Sequence, residues 1–237
     1  MKNLKNWDNK TWLSSVKYTL CIIQFLEKKI NFNKGIKILD IGCGRGKIIS
    51  ALSKKYEMGS LPLGIDIVGH KDIAKKIKFI KINALKYLSK TNKKFDLILF
   101  KQSIHFFKLA EIEKILRFSK NRLNPKGKII IFSLYSKKNY WPVFKKFKIK
   151  LLESQKKDET ILNVIKSNFK KYKINYFNFK VKITKRSYVR MVKNRFTSCL
   201  LNFSLRELKI GTEEIKERYR EKLSFYDKLT CISYKKK

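Results

Sequence analysis

The sequence predicts a doubly wound α/β fold: a mostly parallel sheet of seven strands, with an N-terminal helix and a helical insertion before the last strand. Two observations carry this. Short apolar runs alternate with helical stretches through residues 36 to 134, and a glycine-rich turn, Asp40-Ile41-Gly42-Cys43-Gly44-Arg45-Gly46, joins the first run to the helix after it. Strands separated by helices pair in parallel with the helices on both faces. Right-handed crossovers then leave few topologies.

The elements follow in order. Trp12 to Ile30 is helical, with apolar positions at Val16, Leu20, Ile23 and Leu26, and Asn33-Lys34-Gly35 ends it. Ile36 to Ile41 is a short apolar run of the kind that forms a buried parallel strand. The glycine turn and a helix over Lys47 to Tyr56 come next. Strands follow at Leu61 to Ile67 and Ile77 to Ile82, then a short helix over Ala84 to Leu88. Phe95 to Phe100 is the fourth strand, Ala110 to Leu123 a helix, Asn124-Pro125-Lys126-Gly127 a turn, and Lys128 to Leu134 the fifth strand. After Tyr135 the rhythm changes: Lys137 to Lys171 is helical and charged, Ile174 to Thr184 a strand, Ser187 to Arg220 helical, and Ser224 to Tyr234 the final strand. The expected organisation is one domain over residues 1–237, with residues 36–134 as its core and 137–222 as an elaboration.

Composition bounds the rest. A chain of 237 residues with 43% hydrophobic content can bury a core without disulfide or metal. Cys21, Cys43, Cys199 and Cys231 are scattered, so no metal site is expected and a reducing, cytoplasmic setting is. No apolar run approaches the roughly 20 residues of a membrane span, and the polar start, Met1 to Lys10, is not a signal peptide. The formal charge is +40, from 58 basic and 18 acidic residues. Only nine of the basic residues are arginines, and they are spread along the chain. Nucleic-acid surfaces concentrate their cations and favour arginine forks. The charge therefore reads as compositional, although it attracts polyanions at low salt.

Gly42, Gly44 and Gly46 let the turn tighten and let a ligand approach the backbone. Their Gly-x-Gly-x-Gly spacing is not the Gly-x-Gly-x-x-Gly that seats a pyrophosphate on a helix N-terminus. Asp40 would repel a pyrophosphate but suits a ligand bearing an amino group or sulfonium. Here the chain resembles the class I S-adenosylmethionine-dependent methyltransferases, whose first motif it matches over residues 38–46. Further matches are Leu63-Gly64-Ile65-Asp66-Ile67, Asn83-Ala84, Phe95-Asp96-Leu97-Ile98 and Asn124-Pro125-Lys126-Gly127.

The resemblance implies a Rossmann-like fold and S-adenosyl-L-methionine as cofactor, held by Asp40, Gly42, Cys43, Gly44, Gly46, Asp66, Ile67, Asn83, Ala84 and Lys101. Asp66 would accept from the ribose hydroxyls, Ile67 would pack on the adenine, and Asn83 would face the adenine amino group. Beyond the fourth strand lies Lys101-Gln102-Ser103-Ile104-His105-Phe106-Phe107, where the acceptor would sit. His105 is the candidate general base, and Gln102 a substrate contact. His70 is expected at the surface. The segment after Tyr188 resembles the lid of trans-aconitate methyltransferase-like enzymes. In that reading Arg195 forks an acceptor carboxylate and Tyr188 and Phe196 wall the pocket. Trp7, Trp12 and Tyr18 either cap that pocket or pack, with packing favoured.

No Asn/Asp-Pro-Pro-Tyr/Phe segment follows strand four and no Pro-Cys pair occurs, which argues against methylation of the exocyclic amines of adenine or cytosine and against the covalent-cysteine route to cytosine C5. The expectation is a methyltransferase acting on a small-molecule acceptor. The alternatives are an RNA methyltransferase, suggested by charge alone, and a non-catalytic module that binds S-adenosylmethionine.

Overall fold

The computed structural model describes residues 11–134 and 139–237. Trp7, the polar N-terminus and the start of the elaboration at 137–138 lie outside the described residues. Among those described, seven strands form one sheet: β1 (Ile38–Ile41), β2 (Leu63–Asp66), β3 (Lys78–Lys81), β4 (Phe95–Lys101), β5 (Leu123–Leu134), β6 (Tyr172–Thr184) and β7 (Lys222–Lys235). Their order across the sheet is β3-β2-β1-β4-β5-β7-β6. β1 pairs in parallel with β2 and β4, and β4 with β5. β7 runs antiparallel to β5, from Lys128 opposite Lys235 to Leu134 opposite Leu229. The seven-stranded, mostly parallel sheet expected from the sequence is the one found.

The helices are α1 (Val16–Glu27), α2 (Lys47–Lys55), α3 (Ala84–Lys90), α4 (Leu109–Asn121), α5 (Lys145–Asn168), α6 (Lys185–Lys193) and α7 (Leu205–Arg218). All four residues of β1 are buried, as a strand covered on both faces requires. On α4 the buried positions Ile112, Ile115, Leu116 and Ser119 recur at helical spacing and form the stripe that faces the core.

The chain clusters into two compact units. The first comprises Thr19–Leu134, Asp158–Phe177 and Leu229–Lys237. Its core packs Leu39, Ile41, Ile98, Phe100 and Ile131 of the sheet with Ile161 and Ile165 of α5, and Phe169 stacks on Tyr234 at 4.6 Å. The second comprises the described residues of 1–18, 135–157 and 178–228. There Trp12 is central, with ring centroids 4.8 Å from Phe196, 5.4 Å from Phe225 and 5.8 Å from Trp141. Its indole N–H donates to Asp227 Oδ2 at 3.2 Å, which supplies the partner that a buried indole needs. Trp12 and Tyr18 are both buried in this packing.

Four boundaries differ from the sequence reading, each for a local reason. The helix expected over 137–171 is α5, which begins only at Lys145; residues 139–144, which include Pro142, are not helical. The helix expected from Trp12 is a 3-10 turn over Trp12–Ser14, then α1. Ser15 is extended, and its hydroxyl donates to Trp12 O and accepts from Tyr18 N, starting a new helix. Asn124 to Gly127 is not a separate turn but a bulge within β5. The register jumps from Phe95 opposite Leu123 to Leu97 opposite Lys128, and Lys126 adopts φ 61°. The helical stretch expected over 187–220 is broken. Arg195 takes φ 53°, a 3-10 turn spans Ser198–Leu200, and α7 restarts at Ser204. There Ser204 Oγ accepts from Glu207 N while the Glu207 carboxylate accepts from Ser204 N, a capping box.

Gly211 of α7 shows how tightly the second unit is packed. A Cβ there would lie 2.6–2.7 Å from ring atoms of Phe144, itself 2% exposed. Alanine normally gains up to about 1 kcal/mol over glycine inside a helix, but overpacking a core costs about 1–3 kcal/mol. The clash outweighs the gain, so Gly211→Ala is predicted to lower the urea unfolding midpoint.

Candidate functional site

β1 and β4 lie side by side, but the chain leaves β1 toward β2 and leaves β4 toward β5. Their carboxyl ends therefore open a crevice at the switch point, where ligands of such sheets bind. The turn after β1 has φ of 72° at Gly42, 54° at Gly44 and 70° at Gly46. Two of these glycines are needed for close packing. A Cβ on Gly42 would stand 2.3 Å from Ser103 Cβ, and one on Gly46 2.3 Å from Ile77 Cδ1. Gly44 is different: no atom lies within 4 Å of its would-be Cβ, so its backbone faces open space. Gly42 and Cys43 both donate to Ile65 O, which hangs the turn from β2.

Two carboxylates flank the turn. Asp40 is 2% exposed, and its Oδ1 has no hydrogen-bond partner in the protein. Burial, with Asp66 beside it, pushes its carboxyl up to about 7, against the pull of Lys101. Asp66 ends β2; its Oδ2 accepts from Gly44 N and its Oδ1 from Val68 N, both at 2.9 Å. Each oxygen keeps a further lone pair for a ligand hydroxyl. Burial, then Asp40 and Asp66, push the Cys43 thiol far up, so it is a packed thiol rather than a nucleophile.

Beyond β4, Lys101 Nζ donates to Gln102 Oε1 at 2.5 Å. Gln102 sits at φ 54°, while its N–H donates to Phe132 O. Ser103 Oγ donates to Ile41 O at 2.5 Å, joining the two turns. His105 lies half-buried in a 3-10 turn over Ile104–Phe106, its ring 4.2 Å from that of Phe106. Ile67 is 39% exposed at the end of β2. Asn83 is exposed and its Oδ1 caps α3 by accepting from Lys86 N at 3.1 Å, while Ala84 is buried.

The carboxyl ends of β1, β2 and β4 thus carry Asp40, the three glycines, Asp66, Lys101, Gln102 and Ser103. Tyr188, Arg195 and Phe196 belong to the other unit. Tyr188 and Phe196 are fully buried against Trp12 there, and Arg195 Nη2 donates to Phe203 O at 2.8 Å. His70, expected at the surface, is half-buried with an unpartnered Nδ1. Sequence reasoning missed the roles of Ser103 and of Arg45, whose Nε donates to Asp72 Oδ2 at 2.7 Å. No local pattern couples positions 62 or 27 residues apart.

The orphaned Asp40 oxygen and the open ground over Gly44 fit an adenosyl ligand carrying positive charge. A pyrophosphate would face two carboxylates instead. The fold and turn therefore define an α/β protein whose switch-point crevice is acidic rather than phosphate-seeking. Residues 17–156 match the family model of the methyltransferase domain, and the chain belongs to that family; it is an S-adenosylmethionine-dependent methyltransferase. No curated protein matches the sequence. Among solved structures, it is similar to a methyltransferase from an antibiotic biosynthesis pathway of Anabaena variabilis. That pair has a TM-score of 0.65 and 17% identity, covering 91% of this chain and 96% of the other. It is also similar to an S-adenosylmethionine-dependent methyltransferase of Archaeoglobus fulgidus, with TM-score 0.54, 20% identity and coverage of 92% and 94%. A third is the plantazolicin methyltransferase solved with S-adenosylhomocysteine, with TM-score 0.55, 19% identity and coverage of 100% and 90%. At such identities these likenesses speak for the fold.

The glycines divide into two kinds by their surroundings. Gly42→Ala meets both a left-handed backbone and Ser103, and is predicted to cost at least about 2 kcal/mol of stability. Gly44→Ala meets only the backbone strain of about 1–2 kcal/mol. Urea titration of the two variants should separate them in that order.

Proposed function

We propose that this methyltransferase acts on a small-molecule acceptor and holds its cofactor at the ends of β1 and β2. The single observation that carries the cofactor placement is Asp40: a carboxylate 2% exposed with an unpartnered oxygen beside an open glycine turn. A buried carboxylate left unpaired is costly, and the amino group of the donor's methionine end is the cation that relieves it. Asp66 takes the ribose hydroxyls, Ile67 lies against the adenine, and Asn83 offers its NH₂ to a ring nitrogen. Gly42, Cys43, Gly46, Ala84 and Lys101 shape and charge the same cradle.

The bound donor supplies an activated methyl group on a sulfonium. What remains for the chain is alignment and exclusion of water, an effect worth up to about 7–11 kcal/mol in ideal cases, together with a place for the acceptor's proton. His105 is the group in the β4 turn suited to hold that proton, and Gln102, held left-handed beside it, is suited to orient the acceptor. Support for a small acceptor comes from the absence of base-methylation motifs in the sequence. Two of the similar structures point the same way, one from an antibiotic pathway and one solved with a monoazolic analogue.

Differential scanning fluorimetry with S-adenosylhomocysteine and with NADH tests the cofactor assignment. Stabilisation by the first and not the second is expected; no shift with millimolar S-adenosylhomocysteine would sink it.

Asp40 also makes binding depend on pH. Its folded-state pKa of about 7 lies above the ordinary 3.8, so its contribution to stability is complete below 3.8 and is lost as pH rises through 7. Ligand binding works in the opposite direction, because the ligand's ammonium selects the ionised form. Affinity for S-adenosylhomocysteine is therefore expected to rise about tenfold between pH 6 and pH 8. Calorimetry near pH 6.5 should show proton release on binding. Asp40→Asn should bind weakly and flatten the dependence; an unchanged slope in that variant would assign it to another group.

A further inference from the structure

The connection from β2 to β3, residues 67–77, contains no buried residue. Neither the sheet nor the core fixes its path, since the pairing of β2 with β3 spans only Leu63–Asp66 and Lys78–Lys81. A strap with so few apolar contacts opens readily unless something ties it. The ties all lead to the glycine turn and the start of α2. Arg45 is 4% exposed, and its Nε donates to Asp72 Oδ2 at 2.7 Å. Ala74 N donates to Arg45 O at 2.9 Å, and Ser50 Oγ donates to Lys75 O at 2.6 Å. Ile77 Cδ1 fills the place a Cβ on Gly46 would take, and at the other end Asp66 binds both Gly44 N and Val68 N.

A guanidinium this deeply buried is costly to desolvate and needs its partner. Asp72, whose side chain is 56% exposed, is that partner. The pair is thus the one charged clamp between the strap and the turn among the ties named above, and the strap begins at the residues proposed to meet the adenosine.

We propose that Arg45 and Asp72 are positioning residues for the cofactor. They clamp residues 67–77 to the glycine turn, so that Asp66 and Ile67 present a fixed surface to the adenosine half. This rests on the cofactor site proposed above. The clamp touches no reacting atom, and its effect falls on affinity for the adenosine part.

The test is calorimetric titration of Asp72→Asn with S-adenosylhomocysteine and with 5′-methylthioadenosine, which lacks the amino-acid end. Both dissociation constants should rise about tenfold, and Asp72→Glu, which keeps the carboxylate, should recover most of the loss. The urea midpoint of the ligand-free Asp72→Asn protein should fall, because the buried guanidinium loses its charged partner, so both titrations are run without denaturant on protein shown by circular dichroism to be folded. Arg45→Lys, which keeps a cation but loses Nε, should weaken both ligands with the same pattern. Wild-type-like binding by Asp72→Asn overturns the inference and leaves the cofactor site standing. So does a loss confined to S-adenosylhomocysteine, or one that Asp72→Glu does not recover. Failure of the wild-type protein to bind S-adenosylhomocysteine removes the cofactor site itself.

Discussion

Between the turn that follows β1 and the turn that follows β4 there is no room for one more carbon. Gly42 and Ser103 approach until a Cβ on the glycine would be 2.3 Å from that of the serine, and Ser103 Oγ closes the seam on Ile41 O. This contact sets the relative height of the two turns. With Gly42 pressed against β4, the chain must rise again at Gly44, which places that backbone over open space. Next to Ser103, Gln102 takes a left-handed conformation, and the His105 turn follows at once. The strain at Gln102, of the order of 1–3 kcal/mol for such a residue, is sustained by its own N–H donating to Phe132 O and by the tie of its neighbour Ser103 to Ile41 O.

Charge is arranged around that seam with economy. Asp40, Asp66 and Lys101 influence one another, and burial decides among them: Asp40, the deepest, is held near half-ionised at neutral pH. Asp66, half-buried, already accepts from two backbone amides. One carboxylate thus holds the main chain, and the other awaits a cation. Two equally solvated acids at these positions would give no such division of labour.

The sheet was legible in the sequence because its strands are short, apolar and punctuated. Ile38 to Ile41, Leu63 to Asp66 and Phe95 to Lys101 lie inside or within one residue of the runs read from the residues alone. The glycine turn was legible through spacing and through Asp40. What escaped reading depends on partners distant in the chain or on single dihedral angles. Apolar periodicity continues across Arg195 and cannot register its left-handed φ, although Ser204 and Glu207 do spell a capping box. Asn124 to Gly127 has turn composition, yet β4 beside it turns the segment into a bulge. Trp12 meets Asp227 across 215 residues, and Arg45 meets Asp72 across 27. Burial and pairing at that range are products of the fold, not of any window of sequence.

The capping box of α7 and the carboxylate of Asp66 share one more trait. The chain has 18 acids against 58 bases, and many of those acids are spent on the main chain. Asp66 holds Gly44 and Val68, Asp96 holds Lys37, Glu111 holds Lys108, Glu207 holds Ser204 and Glu214 holds Lys145. Lysines are interchangeable solvation over most of the surface, whereas these carboxylates have addresses. A drift toward still more lysine would therefore be absorbed quietly at most positions and felt abruptly at a few. The tolerance of this protein to charge is uneven, and its map is drawn by the anions.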